Sequence, residues 1–376
     1  MSMVEWKKLG EVADLVRGKV ISKDYIRDNG GEYPVYSSQT ANDGVLGCVS
    51  SYMFDGDYLT WTTDGAYAGT IFRRKGKFNI TNVCGLIDIK DERLDQCFLY
   101  YWLSLTAKSY VLEGMGNPKL MSNVASTIKI PIPFLSEQQR IVSILDTFTS
   151  SISNLKQQIE ERRKQYEYER DLLLDLEGKE GVEMKTLGDF GDVTKLAGFE
   201  FTEHVKYQES GKTVALRGLN VKDGYLDLSQ VKYIDGSNFS KLDRSKLKVN
   251  DMLFTYVGTI GNVALIDEDD KYYLAPNVSR IRFDERIINP KYALYVFMSQ
   301  SFHRTQINKF LNSSSMKNLS MENIRKFILP IPSITTQSRI VSILDTFEAS
   351  IKNLEEQLAL REKQYEYYRN QLLTFE

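Results

Sequence analysis

Between Trp61 and Asn82 the chain reads WTTDGAYAGTIFRRKGKFNITN, which packs hydroxyls, a glycine-flanked tyrosine and a run of cations into one hairpin-like stretch. Side chains of these types suit binding more than bond making. Arg73, Arg74, Lys75 and Lys77 can supply phosphate contacts, which position a protein on DNA, while Thr62, Thr63, Asp64 and Tyr67 on a short glycine loop can reach base edges. The second half of the chain has a matching stretch, TYVGTIGNVALI, with Tyr256, Thr259 and Asn262 again spaced by glycines. Nearby, ALRGLNV carries Arg217 and Asn220, and APNVSRIR carries Asn277, Ser279 and Arg280. Arginine and asparagine are the side chains that pair bidentately with guanine and adenine in the major groove. Lys119 and Lys317, in the polar stretches GMGNPKLMSN and NSSSMKNLSMEN, complete the set as phosphate contacts. Taken singly, each of these residues fits a structural role at least as well, and the first stretch also reads as a solvated hairpin with a charged tip.

Catalytic chemistry is poorly supplied. Gly211-Lys212-Thr213 imitates the end of a phosphate-binding loop, but the first glycine of that motif would fall at 206, where Lys206 stands. Asn117-Pro118-Lys119 and Asn289-Pro290-Lys291 begin like the Asn-Pro-Pro-aromatic motif of amino-methyltransferases and lack its second proline and its aromatic residue. With only His204 and His303, and no Cys-x-x-Cys pair, neither a Cys/His metal site nor histidine acid-base catalysis has material. The three cysteines, Cys48, Cys84 and Cys97, read as free thiols of a reducing compartment.

The elements that must position the binding residues are duplicated. Residues 131–174 recur without a gap at 330–373, and 27 of the 44 positions are identical, including an unbroken IVSILDTF. Large or apolar residues alternate by fours and threes along each copy: Ile141, Leu145, Phe148, then Arg162 and Tyr166; Ile340, Leu344, Phe347, then Arg361 and Tyr365. That is a coiled-coil seam, also a surface on which partner proteins can dock, and an arginine in it can fix register or reach out to solvent. The helix in each copy follows a Pro-Ile-Pro, which forbids helix before it. Ser136 with Gln139 spells a capping box, of which the second copy keeps only Thr335. Gly178 and Gly181 end the first helix.

The segments between the repeats mix strand-like runs such as GVLGCVS and NVALI with the buried helices CFLYYWLSL and YALYVFMSQ, an α/β (α+β) composition. They open alike, VEWKKLGEV and VEMKTLGDF, and share little else. The expected organisation is a globular domain at 1–132, a helix at 133–180, a second domain at 181–331 and a second helix at 332–376. A pseudo-twofold relation would make the helices antiparallel, and about 40 residues of helix would separate the two domains by about 60 Å at most. A net charge of −2 announces no polyanion, so a nucleic-acid surface must be local. No apolar run could span a bilayer and nothing at Met1 resembles a signal peptide, which predicts a cytoplasmic protein.

Taken together, the Leu9-Gly10 and Leu187-Gly188 openings, the Pro-Ile-Pro boundaries and the QQRIVSILDTF and QSRIVSILDTF helix starts resemble the specificity subunit of a bacterial type I restriction-modification system over the whole chain. KQYEYERDLLL and KQYEYYRNQLL extend the likeness. The resemblance implies two target-recognition domains, each reading half of a split, asymmetric sequence in double-stranded DNA, with the paired helices fixing the gap. It implies no catalytic residues and no cofactor in this chain. Two methyltransferase subunits using S-adenosylmethionine, and two restriction subunits using ATP and Mg, would be the partners. A stand-alone coiled-coil DNA-binding or scaffold protein is the alternative, and a fused restriction-modification enzyme a more distant one. The resemblance gives no residue-level recognition code.

Overall fold

The structure is a computed structural model that describes residues 4–113, 116–196, 201, 203–311 and 318–375. The chain forms two compact units, residues 1–156 with 357–376, and residues 157–356. Each unit therefore holds one globular segment, the start of the long helix that follows it and the end of the other. The fold is mixed α and β, with two long helices, Leu135–Leu174 and Ile334–Leu372, and an internal repeat.

In the first unit a six-stranded sheet runs in the order Ala13–Arg17, Cys84–Ile89, Phe54–Thr62, Ile71–Ile80, Gly30–Tyr36, Val45–Val49. In the second, a four-stranded sheet has the order Gly191–Lys195, Val278–Phe283, Met252–Thr255, Val263–Leu265. The first four strands of one sheet correspond to the four of the other, all antiparallel neighbours. What is added differs. The first unit extends this sheet with a hairpin, and the second builds a separate sheet from Lys232–Tyr233, Val214–Leu216 and Tyr272–Leu274.

The shared beginnings and the Pro-Ile-Pro segments prove to be one device. Glu5–Lys8 pairs antiparallel with Lys129–Ile132, Trp6 opposite Pro131, and Glu183–Thr186 pairs with Ile328–Ile331 in the same register, Met184 opposite Pro330. Proline lacks a donor and is tolerated in such two-stranded edges. The pair closes each domain where its long helix begins.

The cap positions of the long helices lie two residues before the expected ones. Ser333 caps the second, its Oγ accepting from Thr336 N at 3.2 Å, and Phe134 holds the equivalent position in the first without a polar side chain. Ser136 and Thr335 therefore lie inside the helices, which corrects the capping-box reading. Gln138 and Gln337 do the fastening. Gln138 is fully buried, its Nε2 donates to Arg93 O (2.7 Å) and Pro133 O (2.8 Å), and its Oε1 accepts from Asp95 N (2.8 Å). Gln337 repeats the pattern on Ile287 O (3.0 Å), Pro332 O (2.9 Å) and Asn289 N (2.7 Å). Asp95 and Asn289 are themselves the N-caps of the buried helices Gln96–Thr106 and Pro290–Met298. Asn289-Pro290 is thus a helix start, cap then N1 proline. Removing either glutamine side chain strands one buried and two half-buried backbone groups, so Gln138→Ala should lower the stability of the first unit by about 3 kcal/mol. Chemical denaturation checks this, and a change under about 0.5 kcal/mol would contradict it.

The seam residues divide by depth. Ile141 and Leu145 belong to the core of the first unit with Phe98, Leu99 and Leu373, and Ile340 and Leu344 to that of the second with Tyr292 and Leu176. Helix pairing begins one turn later. In the first unit Phe148 stacks on Tyr368 (5.4 Å) and carries the Arg361 guanidinium 5.7 Å over its ring. In the second Phe347 meets Tyr166 (6.4 Å) and Arg162 (5.9 Å). The seam arginines are cation–π partners of the facing phenylalanines. Within each unit the two segments run antiparallel, as Lys156–Glu362 (3.0 Å) and Arg163–Glu355 (2.5 Å) show beside these pairs. Tyr365 packs half-buried against the first unit's core.

Candidate nucleic-acid interface

The glycine-spaced stretches form the same clasp in both units. Thr62 N donates to Thr70 O (3.0 Å), Gly69 N returns to Thr62 O (2.8 Å), and the Thr62 hydroxyl accepts from Thr70 N (3.0 Å) and donates to Tyr67 O. In the second unit Thr255 N donates to Asn262 O (3.0 Å), Gly261 N returns to Thr255 O (3.0 Å), and the hydroxyl links Asn262 N (3.0 Å) and Thr259 O (2.5 Å). Gly69 and Gly261 have φ of 81° and 100°, where a β-carbon would be strained. The clasp presents Asp64–Tyr67 in one unit and Val257–Thr259 in the other.

A second segment docks beside each clasp: Leu120 N donates to Thr63 O (2.9 Å) and Leu319 N to Tyr256 O (3.0 Å). This brings Lys119 Nζ to 3.7 Å from Asp64 Oδ1. Lys317 lies outside the described residues. Sequence reading missed a third group, at the end of each unit's first sheet strand. Arg17 Nη2 reaches Thr63 Oγ1 (3.4 Å) and Asp64 Oδ2 (3.9 Å), and Lys195 Nζ sits 5.8 Å over the Tyr256 ring. Arg17 and Lys195 occupy equivalent strand positions, each eight residues beyond the leucine of the shared Leu-Gly opening, so a gapless extension of the openings pairs them.

The other expected contacts separate by burial. Tyr67 (58 % exposed), Lys119, Thr259 and Asn277 are at the surface near the clasps, and Tyr256 is half-buried, its phenol pushed up by burial. Asn277 adopts φ 71° with its carbonyl 3.4 Å from Tyr256 N. Lys75 and Lys77 are exposed but pair across the sheet with Asp57 and Asp55, well along the strand from the clasp, and Lys77 lies over the Tyr52 ring at 4.6 Å.

The rest hold partners within the fold. Thr62 and Thr63 are fully buried, Thr62 as the clasp hinge and Thr63 donating to Asp64 Oδ2 (2.6 Å). Arg74 lies under the sheet, bonded to Asp43 (2.7 Å) and Thr60 (3.2 Å) and stacked on Tyr36 (3.6 Å). Its neighbour Arg73, on the opposite face as strand alternation requires, reaches Asp146 on the long helix (3.3 Å) and the Tyr100 ring (4.4 Å). Arg280 and Ser279 are buried, bonded to Asp192 and Arg244 O, and to Phe254 O. Asn220 is buried against Asp227 O and Gln230 O, Arg217 is held by Gln230 O (2.8 Å), and Asn262 by Val221 O (3.1 Å). Of these, Arg74, Asn220, Ser279 and Arg280 are buried and turn no face to a base, whereas Arg73, Arg217 and Asn262 keep part of their surface. In the Gly211-Lys212-Thr213 turn the amides of Lys212 and Thr213 donate to the Asp235 carboxylate, the place a phosphate would need. The described cysteines are all free, and burial pushes the Cys84 thiol up to about 12. Among the described residues no helix is long and apolar enough to cross a membrane.

Two units built on one strand order, each closed by a proline strand that launches a long helix, define a duplicated specificity-domain architecture. The chain belongs to the type I restriction modification DNA specificity domain family, whose model matches residues 1–162 and again 179–360. It is 31 % identical to a type I specificity subunit of Mycoplasma pneumoniae, covering 98 % of this chain and 97 % of that protein. A type I restriction enzyme specificity subunit of Haemophilus influenzae is also 31 % identical, covering 100 % and 96 %. In fold the chain matches the S subunit of a type I restriction-modification system from M. genitalium with a TM-score of 0.62 at 14 % identity, covering 100 % and 98 %. Specificity subunits are non-catalytic, and partner subunits carry the enzymatic activity.

Proposed function

We propose that the chain is the reader of a type I complex in which each unit recognises one half of a bipartite, asymmetric sequence in double-stranded DNA. The long helices set the gap between the halves. The observation that carries this reading is the repetition of the clasp, with a cation at the same strand end, in two domains whose sequences otherwise diverge. A conserved frame carrying Asp64–Tyr67 in one unit and Val257–Thr259 in the other is what two different half-sites require. Arg17, Lys119 and Lys195 supply phosphate contacts. Tyr67, Thr259 and Asn277 face base edges, and Asp64 can accept from a cytosine amino group once its cations engage phosphate.

The chain docks two methyltransferase subunits through its duplicated frame, and the target adenine leaves the stack for their pocket. S-adenosylmethionine belongs to those subunits, and ATP with Mg to two restriction subunits in the full assembly. The complex works in the cytoplasm.

Two measurements test the reading. The chain co-expressed with its methyltransferase should bind target duplex far more tightly than either alone, whereas full affinity of the isolated chain supports a stand-alone DNA-binding protein. In that complex Arg17→Ala and Lys195→Ala should each weaken binding and lower the salt slope by about one counterion. Unchanged slopes in both variants would remove these residues from the interface.

A further inference from the structure

We propose that Asp146 and Asp345 are positioning residues for the gap: they hold the angle at which each helix leaves its domain, and so decide which spacing of the two half-sites is accepted. The inference rests on the two-reader function above and adds residues that determine spacing without touching DNA.

Both aspartates belong to the identical IVSILDTF segments, and each accepts a hydrogen bond from a domain tyrosine. Tyr101 Oη donates to Asp146 Oδ1 at 2.5 Å, and Tyr295 Oη to Asp345 Oδ1 at 2.6 Å. The tyrosines are almost wholly buried, whereas the carboxylates keep about two-fifths of their surface. A cation from the domain completes each site, Arg73 at 3.3 Å in the first unit and Lys291 at 2.9 Å in the second. The two cations come from different elements, a sheet strand and a helix start, yet converge on the same carboxylate. Divergent domains that preserve one contact by different means are holding something that matters to both.

Position along the helix says what is held. Gln138 and Gln337 fasten each helix at its first turn, and the aspartates lie eight residues on, about 12 Å along the axis. Leu145 and Leu344 are the last seam residues in the domain cores, and Phe148 and Phe347 are already on the facing helix segment. The aspartate turn is where the helix passes from domain to partner helix. One fastening point leaves a helix free to swivel, and two fix its direction. In the second unit the same turn also engages the other helix, since Tyr166 Oη donates to Glu348 Oε1 at 3.1 Å. The first unit has Thr149 there, 3.3 Å from Tyr101 Oη.

The test uses the complete methyltransferase complex and maps its modified sites genome-wide for the wild type, the double variant Tyr101→Phe/Tyr295→Phe, and Asp146→Ala beside Asp146→Asn. The phenylalanine pair keeps both rings and loses only the two hydroxyls. The half-site bases should stay the same, while methylation at sites with a gap one base pair longer or shorter rises about tenfold, the factor one charge-assisted hydrogen bond can carry. Asp146→Ala should relax the gap likewise, and Asp146→Asn, which still accepts from Tyr101, should not. If the double variant fails to assemble, either single variant carries the same comparison. An unchanged gap in active phenylalanine variants, or a change in the bases read, overturns the inference alone. A wild-type map without a split motif overturns the function on which it rests.

Discussion

Exchanging residues 1–130 for the equivalent segment of a relative is expected to change one half of the methylated sequence completely and leave the other half, its orientation and the gap as they were. The domain boundary falls at a two-stranded closure, Glu5–Lys8 against Lys129–Ile132, whose register recurs in the second unit. The Gln138 fastening is made to backbone groups, donating to Arg93 O and accepting from Asp95 N, and so does not depend on the side chains of the incoming domain. Each mismatched base pair typically costs about 1–3 kcal/mol, so the original half-site should lose at least about a hundredfold in modification. Methylome sequencing of the complex carrying the exchanged chain reads this directly. Alteration of both halves would mean that the domains do not read independently.

Inserting one heptad at the same place in both helices is expected to lengthen the gap. Seven residues add about 10.5 Å of helix, close to three base pairs of duplex. A heptad preserves the seam that pairs Phe148 with Arg361 and Phe347 with Arg162. The added base pairs also bring about 100° of helical twist, which DNA deformation must absorb, so modification should be slower as well as displaced. Heptads in one helix only should abolish assembly of the paired frame. A still-active complex with an unaltered gap would show that the helices are not the ruler.

Much of the frame was legible because it is duplicated. The repeat exposes both long helices, the proline boundaries and the paired openings, since identical residues at a fixed offset leave little room for other readings. The recognition surface was legible only in part. The spacing Thr62 to Gly69 and Thr255 to Gly261 marks the clasps correctly, because an interior left-handed turn demands glycine. Residue type then misleads. Arg74, Arg280 and Asn220 are the side chains one would choose to read bases, and the fold uses them to satisfy its own buried carbonyls and carboxylates. Arg17 and Lys195 pair when the Leu-Gly openings are extended eight residues without a gap, but their significance shows only when both strand ends are found beside the clasps.

The aspartate contacts show how a signal can lie in plain view. Tyr101 and Tyr295 each fall six residues after the cap of a buried helix, Asp95 or Asn289, in segments with little other likeness. The regularity gains meaning only when each hydroxyl is found on the repeated aspartate.

The central claim, that this chain brings two half-site readers to one DNA duplex, is tested most directly by co-expressing it with its methyltransferase and mapping adenine methylation by single-molecule sequencing. The account predicts one split, asymmetric motif with an unspecified gap of fixed length, absent when the chain is omitted. A continuous motif, or methylation that is the same without this chain, would contradict it.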